Sequence, residues 1–212
     1  MRRILGVQAL RGLAALSIAV LHISQAAGWF TGQQGVAPYA WMRRVPWEAG
    51  VDVFFVISGF VIVYASADLF GRAGAVREFL GRRVARIVPL YWLVTSLLIL
   101  AALLRLVPLH DALGDGAPYV TASYAFFPWK PPGGAVLPVF RPGWTLEYEM
   151  LFYGVVALFL ALRLRLALPL IAAAIAGLAA ANALWHPRNT QLDFWTDPIV
   201  LEFGYGVALA AL

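Results

Sequence analysis

The chain has 212 residues, of which 62% are hydrophobic and 13% charged, and it carries 19 glycines besides. Its mean hydropathy is +0.78, far above a soluble domain, in which about 45–50% of residues are apolar and about 25% charged. That balance excludes a soluble globular enzyme, and the net charge of +5, carried by arginine at every basic position except Lys130, reads first as membrane topology rather than nucleic-acid binding.

The apolar residues fall in long unbroken runs of Leu, Ala and Val, which predicts an all-α polytopic helix bundle; barrel strands would alternate. Five full spans are expected at Ile4–Ala27, Ala49–Ala67, Val88–Val107, Trp144–Leu162 and Leu166–Trp185, with a sixth cut short, from Pro198 to the C-terminus. Each full span approaches the ~20 residues that cross ~30 Å of hydrocarbon. Between the third and fourth lies a loop, Pro108–Gly143, whose Tyr119–Trp129 stretch is too short to cross and suits a re-entrant or surface helix. With the N-terminus cytoplasmic, ten basic residues lie on the inner side and six on the outer, the Arg72–Arg86 cluster deciding the direction. The first run is not read as a signal peptide, because Arg11 and His22 interrupt it and further spans follow. Cysteine is absent, which removes disulfides, thiolate metal sites and a cysteine nucleophile. No metal-ligand spacing, P-loop or GxSxG elbow occurs.

An ionisable group in hydrocarbon costs at least about 2.5–3.5 kcal/mol at mid-span, so each one is a candidate for function. Arg11 and His22 are eleven residues apart. At about 100° per residue they leave one face of the first helix, roughly 16 Å apart along its axis. Arg11 also suits a snorkelling anchor, and His22 a helix-packing hydrogen bond. In Gly50-Val-Asp52-Val-Phe-Phe-Val-Ile-Ser58-Gly59-Phe60, Asp52 lies at much the depth of His22 and could accept its hydrogen bond, or act as a helix cap. Gly50, Ser58 and Gly59 suit close helix packing. Arg82, Arg83 and Arg86 lead into the third span, where guanidinium groups suit a polyphosphate or anionic lipid, and Pro89 fits a first helical turn. Glu147 and Glu149 open the fourth span, two residues apart and so about 200° apart around the helix. Glu147 suits the helix dipole; Glu149, expected deeper, is the harder of the two to explain by structure alone. Trp144 suits an interfacial anchor.

Four stretches in order resemble the acyltransferase 3 family, membrane-embedded enzymes that acylate cell-surface sugars. Gln8-Ala-Leu-Arg11-Gly-Leu-Ala-Ala-Leu16 followed by His22 is similar to the family's first helix, a basic residue, ten residues and then histidine. The Gly50–Phe60 stretch is similar to its second block, and Arg83-x-x-Arg86-x-x-Pro89-x-Tyr91 to its third. Trp144-Thr-Leu-x-x-Glu149-x-x-Phe152-Tyr153 resembles its fourth, in the form of the exopolysaccharide-modifying branch. Family members usually carry more spans, so residues 1–212 are expected to be the N-terminal part of the family's transmembrane domain. The proline common after the fourth block is replaced by Gly154.

The resemblance implies a multi-pass protein of the bacterial inner membrane. It implies a cytoplasmic acyl-CoA donor, acetyl-CoA in the simplest case, without a metal, and a carbohydrate hydroxyl on a lipid-linked or nascent polysaccharide as acceptor. On the residue geometry, Arg11, Arg83 and Arg86 would hold the CoA phosphates. His22, Asp52 and Glu149 would form the chemical end, with His22 as general base or transient acyl carrier. The ~16 Å between Arg11 and His22 is comparable to a pantetheine arm. Two rivals remain: a transporter or flippase of a polysaccharide precursor, since intramembrane charges also build relays, and a membrane scaffold in which they serve packing alone.

Overall fold

The computed structural model describes residues 4–30, 44–107, 116–131 and 134–212. Arg2, Arg3 and Arg43, which entered the charge reading, lie outside them, as do residues 108–115 and 132–133 of the loop. The described residues form helices: α1 (Leu5–Phe30), α2 (Ala49–Ser66), α3 (Ala75–Leu103), α4 (Ala117–Tyr124), α5 (Trp144–Phe159), α6 (Leu164–Trp185), α7 (Thr190–Thr196) and α8 (Leu201–Ala210), with short 3-10 turns between some of them. Four are long and apolar enough to cross a membrane, at Leu5–Gln25, Ala49–Leu69, Ala75–Leu103 and Leu164–Trp185. Large side chains such as Leu13, Leu97, Leu158 and Leu184 stay exposed, as lipid-facing positions of a membrane protein do. The fourth expected span is a 16-residue helix, and the sixth is a 3-10 turn, Pro198–Val200, followed by ten helical residues.

The third span departs most from expectation. Its helix begins at Ala75, not Val88, and runs 29 residues, with Pro89 in its interior rather than its first turn. Gly74, at φ +77°, precedes it, and the helix runs on through Gly81 to Pro89 and beyond, so Arg77, Arg82, Arg83 and Arg86 are helical. This places Phe79 and Arg83 one turn apart on one face, and Arg83 and Arg86 likewise. The loop helix α4 is eight residues long and is tied to α3 by three contacts. Tyr91 donates to Ser123 O at 3.0 Å, the Trp92 indole donates to Tyr124 O at 2.9 Å, and Ser96 and Tyr124 share a 2.6 Å hydroxyl pair.

The core sits between α2, α5, α6 and α8. Phe55 and Phe152 both stack on Phe203, at centroid distances of 4.5 and 4.7 Å. Around them lie Ile62, Val156, Ile171 and Val207, each at most 2% exposed. The α2–α8 seam closes on glycine. A Cβ at Gly59 would strike Phe203 O, and one at Gly206 would strike Val56 O and Phe60 N; only glycine lets these two backbones approach so closely. Gly50 does the same for α1, since its Cβ would meet Ala14 O at 2.9 Å, and Ser17 donates to Trp47 O at 2.8 Å beside it. Gly206→Val therefore lowers the thermal midpoint in detergent by several degrees, in line with the about 1–3 kcal/mol of an overpacked core. Gly154→Ala, with nothing within 4 Å of its added carbon, leaves the midpoint unchanged. Equal midpoints for both variants would show that the α2–α8 seam is not tight.

Candidate active site

One cavity of about 770 Å³ opens among α1, α2, α3, α5 and the segment leading into α5. It exists because α1 packs on α2 and makes no comparable contact with the remaining helices, so the space on its other flank stays unfilled. Fourteen residues of α1 separate Arg11 from Gln25, both of which line it, giving a length of roughly 21 Å along the helix. All six candidate residues line this one space: Arg11 and His22 from α1, Asp52 from α2, Arg83 and Arg86 from α3, and Glu149 from α5. The shared face of Arg11 and His22 follows from the 3.6-residue repeat, and that face is the one turned toward the cavity.

The structure divides these residues differently from the sequence expectation. Glu149 belongs with the arginines: the charges acting most strongly on it are Arg86, Arg83 and Arg11. Its Oε1 accepts a hydrogen bond from the Tyr153 hydroxyl, one helical turn on. Among the described residues no ion pair joins Glu149 to any arginine. His22 and Asp52 share the cavity, but no hydrogen bond joins them among the described residues. Asp52 lies in the first turn of α2, where the capping position is Glu48, and it interacts with the charge of Glu202.

The three arginines ahead of Pro89 separate. Arg82 turns outward and, with Arg72, pairs with Glu78. Arg83 turns inward, its guanidinium carbon 5.3 Å from the centroid of Phe79 and 5.8 Å from that of Tyr153. Its terminal nitrogen donates to Ser66 Oγ at 3.3 Å, while its Nε is buried without a partner.

The two glutamates point apart as the helix repeat requires, and Glu147 is the less exposed of the two to solvent. Glu147 is 1% exposed, lies off the cavity lining and has an unpartnered buried Oε2; Glu149 is only half-buried. Trp144 lines the cavity and packs edge-on against Phe55 and Tyr148. Ser58 lines the cavity as well, while its neighbour Gly59 makes the helix contact. Three features escaped the sequence reading. Glu48, Arg141 and Gln25 also line the cavity. The Phe79–Tyr153 ring pair grips Arg83. Tyr153 holds Glu149, and the four-residue spacings 79–83 and 149–153 carried that last signal.

The acyltransferase domain family's sequence profile matches residues 4–212. Exopolysaccharide production protein ExoZ of Rhizobium meliloti (strain 1021) is 38% identical over 162 residues, 76% of this chain and 49% of ExoZ. Acyltransferase MdmB of Streptomyces mycarofaciens is 28% identical over 232 residues, 99% of this chain and 57% of MdmB. YrhL of Bacillus subtilis (strain 168), named provisionally as a peptidoglycan O-acetyltransferase, is 26% identical over 227 residues, 99% of this chain and 33% of YrhL. The chain thus spans between a third and somewhat over half of the length of these relatives. No solved structure matches it.

Proposed function

The chain belongs to the acyltransferase domain family, and from that premise we propose that it is a membrane O-acyltransferase that moves an acyl group, acetyl in the simplest case, from cytoplasmic acyl-CoA to a carbohydrate hydroxyl of the cell surface. The observation that carries this reading is the single elongated cavity with Arg11, Arg83 and Arg86 toward one part and His22 about three turns of α1 beyond Arg11. The arginines hold the CoA phosphates by charge-assisted hydrogen bonds. The pantetheine arm follows α1 and brings the thioester toward His22. Imidazole takes the proton of the acceptor hydroxyl as its oxygen attacks the thioester carbonyl. The tetrahedral intermediate collapses, the C–S bond breaks, and the CoA thiolate takes the proton back from the imidazolium. Asp52, on the same cavity, balances that transient positive charge. The 38% identity to ExoZ favours an exopolysaccharide unit, lipid-linked or nascent, as acceptor.

The reading places the protein in the bacterial inner membrane as a multi-pass chain of five spans and an incomplete sixth, with α5 crossing beside the four longer helices, α8 as the incomplete one, and the N-terminus in the cytoplasm. Two opposed ends support this. Gly71 N donates to Leu160 O at 2.8 Å at the end with the Arg72–Arg86 cluster. Gln191 Nε2 reaches Pro128 O at 2.8 Å at the other. Because the sequence lacks native cysteine, single cysteines report topology cleanly. Arg77→Cys reacts with an impermeant maleimide only after the cells are opened, and Lys130→Cys reacts in intact spheroplasts. The converse pattern would invert the orientation, and equal labelling from one side would remove α3 as a span between them.

Turnover of acetyl-CoA by the full-length protein in nanodiscs tests the chemistry. Arg11→Ala raises the KM for the donor about tenfold or more, the weight of a hydrogen bond to a charged group. His22→Ala lowers kcat about a hundredfold or more, the usual share of general-base catalysis, and leaves donor binding intact. Unimpaired turnover by His22→Ala contradicts the scheme. Failure of any CoA compound to bind redirects the reading to transport of a polysaccharide precursor.

A further inference from the structure

Four arginines and three acidic side chains line the cavity, among them Arg11, Arg83, Arg86 and Glu149, yet among the described residues Glu149 pairs with none of the arginines. Glu149 lines the cavity with Arg11, Arg83 and Arg86, and theirs are the charges nearest in effect to it, after its burial and its hydrogen bond to Tyr153. In a medium of low dielectric constant the approach of a carboxylate to a guanidinium is strongly favoured, and a carboxylate–guanidinium fork would occupy the N–H donors a phosphate needs. Two contacts oppose that collapse, and both are made by Tyr153, which is 2% exposed. Its hydroxyl donates to Glu149 Oε1, giving the carboxylate another partner. Its ring, set edge-on to Phe79 at 5.9 Å between centroids, faces the Arg83 guanidinium. A ring face attracts the cation through its quadrupole and consumes none of its in-plane donors. Among the described residues the one hydrogen bond of the Arg83 guanidinium runs from a terminal nitrogen to Ser66 Oγ at 3.3 Å, on a side chain that lines the cavity.

We propose that Tyr153 is a positioning residue that holds Glu149 off Arg83 and Arg86 and thereby keeps their guanidinium groups open for the donor's phosphates. This rests on the acyl-CoA reading above and names the element that regulates access to its anionic subsite. Tyr153 touches neither donor nor acceptor; it acts through Glu149 and Arg83. Once its hydroxyl is removed, the released carboxylate swings onto the arginines and closes the subsite.

The test is equilibrium binding of acetyl-CoA to the full-length protein in nanodiscs, with the thermal midpoint of each variant measured alongside. Tyr153→Phe keeps the ring and deletes the hydroxyl. Its expected effect is about a tenfold weaker Kd, the cost of losing a charge-assisted contact, at a midpoint close to wild type. The double variant Tyr153→Phe/Glu149→Gln then binds within about threefold of Glu149→Gln alone, because a neutral amide does not capture an arginine. Rescue of this kind is not expected of a merely structural tyrosine. Tyr153→Phe binding as tightly as wild type overturns the proposal, and so does a double variant as weak as Tyr153→Phe. In both cases wild type still binds the donor, so the acyl-transfer reading stands. A wild type that binds no acetyl-CoA overturns that reading and the role of Tyr153 with it.

Discussion

The interior depends on keeping opposite charges apart. Glu149, Arg11, Arg83 and Arg86 are drawn into one apolar bundle, where the easiest arrangement would be to neutralise each other and close up. Instead the Tyr153 hydroxyl is bonded to Glu149 and the rings of Phe79 and Tyr153 lie against Arg83. A buried ion pair is often no more stable than its apolar replacement, so stability alone gives no reason to retain this set. On the proposed function these charges form an anionic subsite placed in advance, which loses little freedom when a ligand arrives.

The rest of the fold provides the space. Glycines at 59 and 206 draw α8 tightly onto α2, and stacked Phe55, Phe152 and Phe203 fill the core behind them. That tight side supports α2 and α5, which form one wall of the cavity. On the opposite side α1 meets α2 alone to any extent, through Gly50 and Ser17. The polar face of α1 is therefore presented to open volume. One side of α2 is packed to backbone contact and the other side is left for ligand.

Helix boundaries were legible where apolar runs end on clear signals: α2 and α6 begin and end within two residues of expectation. The start of α3 was not, because arginine was read as loop. In a helix that emerges from the bilayer, arginine is a good helix former, and only Gly74 marks the boundary. The shared face of Arg11 and His22 was legible because both lie on one uninterrupted helix, where the 3.6 repeat is rigid. The grouping of Glu149 with the arginines was not, because it depends on where α5 sits against α3, which no periodicity encodes. The burial of Glu147 was hidden for the same reason: its neighbour Tyr91 comes from α3. The acyltransferase family itself was legible from four ordered blocks, and the profile match over residues 4–212 agrees.

The central claim is that one cavity holds the donor at two separable ends. It is tested most directly by equilibrium binding of CoA, compared with pantetheine lacking the nucleotide, to the full-length protein and to its Arg83→Gln/Arg86→Gln variant. The account predicts that wild type binds CoA far more tightly than pantetheine, and that the double variant erases this difference while His22→Ala preserves it. Equal affinity of wild type for CoA and pantetheine, or a preference for CoA that survives the loss of both arginines, would contradict it.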